Sequence, residues 1–119
     1  MKNTLTVYGI KQCDTCRKAL KWLKDKGIDY YFHDLREAGF EPQTLDCWLQ
    51  TSSIDQLLNR RSTSWRQLSE SDKAAASPGQ LRNLLLKHPT LVKRPVWFRG
   101  KVLAVGFKPA ELEYLLSQE

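Results

Sequence analysis

Residues 5–23 read LTVYGIKQCDTCRKALKWL, a stretch in which a strand pattern runs into a helix pattern. Leu5 to Tyr8 alternates apolar and polar side chains, which is typical of a strand with one buried face. Further on, apolar residues recur at the i, i+3, i+4 and i+7 spacing of one helix face: Cys16, Ala19, Leu20 and Leu23. The stretch therefore predicts a strand, a short turn and a helix over about residues 14–26, with Cys13 at the helix start.

Further strand patterns occur on both sides of the middle of the chain. Strands are predicted over residues 28–33, 96–98 and 102–105, and the last two form a hairpin around a Gly-containing turn. A final helix is predicted after Pro109. The order is β-α-β, a helical block, then β-β-α, which predicts an α/β fold of the thioredoxin-like type with a four-stranded mixed sheet.

The middle of the chain shows only helical patterns, so the fold is predicted to carry an all-helical insertion. The predicted helices cover residues 41–50, 53–58, 65–68, 72–76 and 77–88. No repeat or low-complexity linker divides the chain. We expect a single domain over residues 1–119, with the thioredoxin-like part at about 1–36 and 89–119 and the insertion at about 37–88.

The charge balance is basic, with 19 Lys and Arg against 13 Asp and Glu and a net charge of +6. This favours anionic partners such as small oxyanions, thiolates and acidic peptides. No helix-turn-helix, zinc-finger or RNA-binding signature is present, so direct nucleic-acid binding is not expected. The first residues lack the apolar segment of a signal peptide, and no apolar run approaches the roughly 18 residues of a membrane helix. We expect a cytoplasmic protein that does not bind membranes.

Cys13-Asp14-Thr15-Cys16 is the motif with the clearest chemistry. In a reducing compartment, a close cysteine pair is more often catalytic, redox-sensing or metal-binding than structural. At the start of a helix, backbone N–H groups without intrahelical partners and the helix dipole favour the thiolate, so the Cys13 pKa should fall below the free value of about 8.5. Cys16 lies one turn later on the buried face. This arrangement predicts that Cys13 attacks and Cys16 resolves the mixed disulfide.

Two alternative interpretations of the cysteine pair stay open at this point. The pair could be half of a zinc site, which needs two further ligands. The candidates for those ligands are Cys47, His33 and His88, and none has the usual zinc-finger spacing, so no metal site is expected. The two thiols could also be unreactive.

Four segments resemble the arsenate reductase (ArsC) and Spx family, and in particular its YffB branch. The first is Tyr8-Gly9-Ile10-Lys11-Gln12-Cys13-Asp14-Thr15-Cys16-Arg17-Lys18-Ala19, which contains the Gly-Ile-Lys-x-Cys-Asp-Thr motif of that branch. The second and third are residues 57–68, which contain an Asn-Arg-Arg-Ser run, and residues 88–96, which contain an Arg-Pro pair. The fourth is Val105-Gly106-Phe107. The resemblance covers nearly the whole chain.

The resemblance implies a set of site residues around the reactive cysteine. Arg94 would face an anion or thiolate at the helix start, and the Arg94–Pro95 bond would be cis, although a cis bond precedes only about 5–6% of prolines in general. Arg61, with Arg60, would complete an anion-binding pocket, and Lys11 lies in the loop before Cys13. Guanidinium groups suit oxyanions and carboxylates.

The function implied is that of a thiol–disulfide oxidoreductase, with Cys13 and Cys16 as its redox pair, glutathione as co-substrate and no bound cofactor. Arsenate reductases of this type carry His-Asn-Pro-x before the cysteine. This chain has Gly9-Ile10-Lys11-Gln12 there, which argues against arsenate as substrate. The alternative is an Spx-like, redox-switched regulator that binds RNA polymerase. The glycine by which Spx contacts polymerase should fall near Thr51-Ser52-Ser53, where this chain has none.

Overall fold

The computed structural model describes residues 4–74 and 77–117. Its strands are β1 (Thr6–Gly9), β2 (Tyr31–Asp34), β3 (Val96–Phe98) and β4 (Val102–Val105). Its helices are α1 (Asp14–Asp25), α2 (Pro42–Trp48), α3 (Ile54–Leu57), α4 (Thr63–Arg66), α5 (Glu70–Lys73), α6 (Pro78–Lys87) and α7 (Pro109–Leu116), with a 3-10 helix at Pro89–Leu91. Among the helices described, none combines the length and the apolar character that crossing a membrane requires.

The chain forms two compact units. The first contains the described residues up to Ala38 and from Arg94 onward, and the second is Gly39–Lys93. All four strands belong to the first unit, where they form one sheet in the order β2-β1-β3-β4. Strand β1 pairs in parallel with β2 and antiparallel with β3, and β3 pairs antiparallel with β4. The predicted four-stranded mixed sheet and its α/β class are therefore confirmed.

Helix α1 covers one face of this sheet with the apolar stripe predicted from its spacing. Cys16, Ala19 and Leu23 are fully buried. Ala19 and Leu23 belong to a core that also contains Leu5, Val7, Trp97 and Leu112. Because each fully buried Leu or Val side chain contributes roughly 1.5–3 kcal/mol, this packing holds α1 against the sheet.

The second unit contains four short helices with serine caps. Ser53, Ser62, Ser69 and Ser77 each accept a hydrogen bond from a backbone N–H in the first turn of the helix that follows. Ser53 and Ser77 form full capping boxes, each with a glutamine three residues later. Such caps satisfy N–H groups that a short helix leaves without partners, and each contributes about 1 kcal/mol.

The prediction of a strand over residues 28–33 is wrong at its beginning, because β2 starts at Tyr31. The backbone N–H of Ile28 donates to the carbonyl of Leu23 at 3.0 Å, and Gly27 has a φ of +68°. Both features belong to the end of α1, so this segment closes the helix instead of joining the sheet. The predicted helix over residues 72–76 is α5 at Glu70–Lys73, and residues 75–76 lie outside the described residues.

Candidate active site

The turn between β1 and α1 places Cys13 at the amino end of the helix. The backbone N–H of Cys13 donates to the carbonyl of Ile10 at 3.0 Å, which closes the turn. Cys13 has extended backbone angles (φ −82°, ψ 122°) and is the N-cap of α1. Its own carbonyl accepts the first helical hydrogen bond, from the N–H of Arg17 at 3.0 Å. The sulfur therefore lies beside N–H groups at the positive end of the helix dipole.

The two cysteines differ in exposure. Cys13 is half-buried, whereas Cys16 is fully buried. Cys16 packs against the backbone of Gly9, so closely that a Cβ built on Gly9 would lie 2.6 Å from the Cys16 sulfur. Only a glycine leaves room for the buried thiol at this place. A partner can thus reach Cys13 while Cys16 stays behind it.

The surroundings of Cys13 favour its thiolate. Burial alone would raise the pKa of the Cys13 thiol. However, hydrogen bonds from the backbone N–H of Cys16, the Arg94 guanidinium and the Cys16 thiol, together with the charge of Arg94, bring its pKa below the ordinary value. The helix start predicted a lowered pKa for Cys13, and the family resemblance implied Arg94 beside its thiolate; both contribute to the lowered pKa.

The surroundings of Cys16 act in the opposite direction. Burial raises the pKa of Cys16 to about 12, and the adjacent Cys13 sulfur adds to this effect, although the Ile10 backbone and the charge of Arg94 lower it in part. A pair in which one thiol ionises readily and the other holds its proton is suited to nucleophilic attack followed by resolution.

Arg94 reaches Cys13 from the segment that precedes β3. The Arg94–Pro95 peptide bond is cis. Pro95 is buried, and its carbonyl accepts a hydrogen bond from the N–H of Gly106 at 2.8 Å. The Arg94 guanidinium donates a hydrogen bond to Cys13, so a cation from the second half of the chain is placed at the sulfur.

Comparison with known proteins agrees with this geometry: residues 8–115 match the sequence model of the ArsC family. The chain belongs to the ArsC family. It is similar to the solved structure of the YFFB protein, at 36% identity and a TM-score of 0.85, over 95% of this chain and 99% of that one.

Two further proteins extend the comparison. The chain is 48% identical to an arsenate reductase (ArsC) related protein from Brucella melitensis, with a TM-score of 0.76 over 93% of this chain and 92% of that one. It is 28% identical to the global transcriptional regulator Spx of Lactiplantibacillus plantarum, over 95% of this chain and 86% of that protein. The chain is thus similar both to a protein named as related to arsenate reductase and to a protein named as a transcriptional regulator.

Three other residues were predicted for the site, and the structure shows the contacts that each makes within its own unit. Arg60, in the second unit, pairs with Asp55 at 3.5 Å and lies over the ring of Trp65, with its guanidinium carbon 5.6 Å from the ring centroid. Arg61, also in that unit, is exposed. The Lys11 ammonium lies in the first unit and pairs with Glu37 at 3.1 Å. Anion binding by Lys11, Arg60 and Arg61 stays a prediction.

Sequence reasoning missed Asp34, which anchors the loop of this ArsC-family site. Its carboxylate is buried and accepts hydrogen bonds from three backbone N–H groups, those of Lys11 (2.8 Å), Arg36 (2.8 Å) and Glu37 (2.9 Å). Burial would raise the pKa of Asp34, but these hydrogen bonds and the nearby Lys11 charge bring it below its usual value. A charged residue at the end of a strand was the only signal in the sequence.

Arg17 holds the same loop from the other side. Its guanidinium donates to the carbonyls of Lys11 at 3.2 Å and Gln12 at 3.0 Å. Because its side chain is 62% exposed, it contributes more to the orientation of the loop than to stability.

The candidate metal ligands do not form a metal site in the part of the chain that the structure describes. Within residues 4–74 and 77–117, no group of three or more His, Cys, Asp or Glu side chains is placed to hold a metal ion. Cys47 is exposed on α2 in the second unit, and the ring of His33 packs against Tyr8 at 5.1 Å between centroids.

Proposed function

We propose that this ArsC-family chain is a thiol–disulfide oxidoreductase that uses Cys13 as nucleophile, Cys16 as resolving thiol and glutathione as the reductant. The proposal rests on one observation: the two adjacent thiols differ in exposure, and their pKa values are shifted in opposite directions. Cys13 is accessible, accepts a hydrogen bond from Arg94 and has a lowered pKa. Cys16 is buried, and its raised pKa keeps it protonated.

The reaction balances with two thiols of glutathione. The Cys13 thiolate attacks one sulfur of a disulfide substrate, forms a mixed disulfide and releases the other half as a thiolate, which takes up a proton. Cys16 then gives up its proton and attacks the Cys13 sulfur. This releases the second half and leaves the Cys13–Cys16 disulfide. Two glutathione molecules reduce that disulfide to two thiols and become glutathione disulfide.

The mixed disulfide itself favours the second step. Once Cys13 is bonded to the substrate, it no longer carries the negative charge that helps to raise the pKa of Cys16. The positive charge of Arg94 lowers the pKa of Cys16 and is still present. Cys16 therefore ionises more easily at the stage at which it must attack. Because the reaction draws on glutathione, we place it in the reducing cytoplasm.

A coupled assay tests this function. Reduction of bis(2-hydroxyethyl) disulfide by glutathione is followed through glutathione reductase and NADPH consumption. We expect turnover by the wild-type chain and none by Cys13→Ser. The matched control is Cys47→Ser, because Cys47 is an exposed thiol on α2 with no role in the proposed reaction, and its loss should leave turnover intact. Equal turnover by all three proteins would contradict the proposal.

A second candidate function is suggested by the similarity to the regulator Spx. In that case, oxidation of Cys13 and Cys16 would change affinity for RNA polymerase. The test is a pull-down of purified RNA polymerase by the oxidised and the reduced chain. Oxidation-dependent capture that is lost in Cys13→Ser, in the absence of disulfide turnover, would favour the regulator. Capture that is absent in both redox states would exclude it.

A further inference from the structure

A cleft lies beside the loop that carries the nucleophile. It has a volume of about 300 Å³ and is lined by Ile10, Lys11 and Gln12, together with Asp34, Arg36 and Glu37 from the turn after β2. This volume is at the lower end of the range for small-ligand sites, which is about 300–1,000 Å³. Gln12 is the residue bonded to Cys13, so the cleft wall is one residue, or about 3.8 Å between Cα atoms, from the reacting residue.

Of the charged side chains around the cleft, Arg36 is the cation available to bind a ligand. Both oxygens of Asp34 accept hydrogen bonds from backbone N–H groups, so its charge is directed to the backbone. Lys11 and Glu37 pair with each other, but their side chains are 65% and 62% exposed, so this pair opens at little cost. Arg36 is exposed and forms no ion pair with any residue that the structure describes.

This set of charges fits a group that carries a carboxylate and an ammonium on the same carbon atom. A guanidinium binds a carboxylate through two parallel hydrogen bonds, and a carboxylate accepts from an ammonium. We propose that the cleft binds the γ-glutamyl end of glutathione, with Arg36 on its α-carboxylate and Glu37 on its α-ammonium. This inference rests on the proposed function, since it takes glutathione as the thiol that reaches Cys13.

The test compares two thiols that differ only in the γ-glutamyl group. Glutathione contains it, while cysteinylglycine has the same thiol and terminal carboxylate without it. In the coupled reduction of the Cys13–Cys16 disulfide, Arg36→Ala should raise the KM for glutathione at least about tenfold, because the loss of one charge-assisted hydrogen bond already accounts for about tenfold and the guanidinium would donate two. The kcat should stay within about twofold. The KM for cysteinylglycine should not change.

The matched control is Lys101→Ala, which removes one exposed positive charge from the β3–β4 turn, away from the cleft. It should leave both KM values unchanged. An Arg36→Ala effect that is equal for the two thiols, or no effect on either, would overturn the assignment. Unfolding curves of both variants should match that of the wild type, which separates a binding defect from a folding defect.

A binding measurement keeps this inference separate from the proposed function. S-methylglutathione cannot react with Cys13, so its NMR titration reports binding even in a chain without turnover. We expect shifts of the backbone amides at residues 10–12 and 34–37, and their loss in Arg36→Ala. Binding without turnover would refute the oxidoreductase and retain the cleft. Turnover without these amide shifts would refute the cleft and retain the oxidoreductase.

Discussion

Gly9→Ala probes the contact between the end of β1 and the buried thiol. Gly9 is not among the glycines with positive φ, so its backbone accepts an alanine and only space is tested. The added Cβ would lie 2.6 Å from the Cys16 sulfur and 3.2 Å from Cε1 of Phe32. Heavy atoms at optimal separation are about 3.5–4.0 Å apart, so the sulfur must move by about 1 Å.

The expected cost follows from this overlap. Overpacking of a tight core costs about 1–3 kcal/mol, so Gly9→Ala should lower the free energy of unfolding by about 2 kcal/mol. Urea unfolding followed by circular dichroism measures this value. In a Cys16→Ala background the sulfur is gone, and the nearest atom of residue 16 is its Cβ at 3.4 Å. The same substitution should then cost about 1 kcal/mol less, which a double-mutant cycle detects.

The result that refutes this reasoning is an equal cost in both backgrounds. It would mean that the strain lies in the contact with Phe32 or in the backbone and not at the sulfur. The displaced thiol should also resolve mixed disulfides more slowly. Stopped-flow measurement of Cys13–Cys16 disulfide formation in Gly9→Ala would show that effect.

Three other outcomes follow from the contacts of the site. Arg94→Ala should raise the pKa of Cys13, because it removes a hydrogen bond and a positive charge; the pH profile of alkylation in a Cys47→Ser background should shift upward, and Arg94→Lys should shift it less. Cys16→Ser should trap Cys13 as a mixed disulfide with glutathione that mass spectrometry detects, whereas rapid release of that adduct would exclude Cys16 as the resolving thiol. Asp34→Ala should lower the free energy of unfolding by about 2 kcal/mol at neutral pH. Because folding lowers the pKa of Asp34, its contribution is complete above the ordinary aspartate pKa of about 3.9 and is lost as the pH falls through the lower folded-state value, so urea unfolding should show the wild type and variant converging in acid.

Most of the local structure could be predicted from the order of residues. The hairpin strands Val96–Phe98 and Val102–Val105 lie where the pattern predicted them, and α1 begins at Asp14 as expected. The start of β2 could not be predicted from the sequence, because the aromatic run at residues 28–33 resembles a strand throughout. A hydrogen bond from Ile28 to Leu23 removes the first part of that run from the sheet.

The sequence alone determined most of the elements and indicated Cys13 and Cys16 as the candidate redox pair, because helix and strand periods and the spacing of the two cysteines are short-range properties. The residue patterns did not show which distant groups surround that pair: Arg94 was expected there only from the family resemblance, and Asp34 was not expected at all. The parallel register of β1 and β2 pairs Gly9 with Asp34, which brings a carboxylate to a loop 23 residues away. The antiparallel pairing of β1 with β3 brings Arg94 to the same end of β1. Register depends on how each strand buries its apolar face within the whole sheet, so the residues that distant strands bring together are fixed only when the sheet assembles.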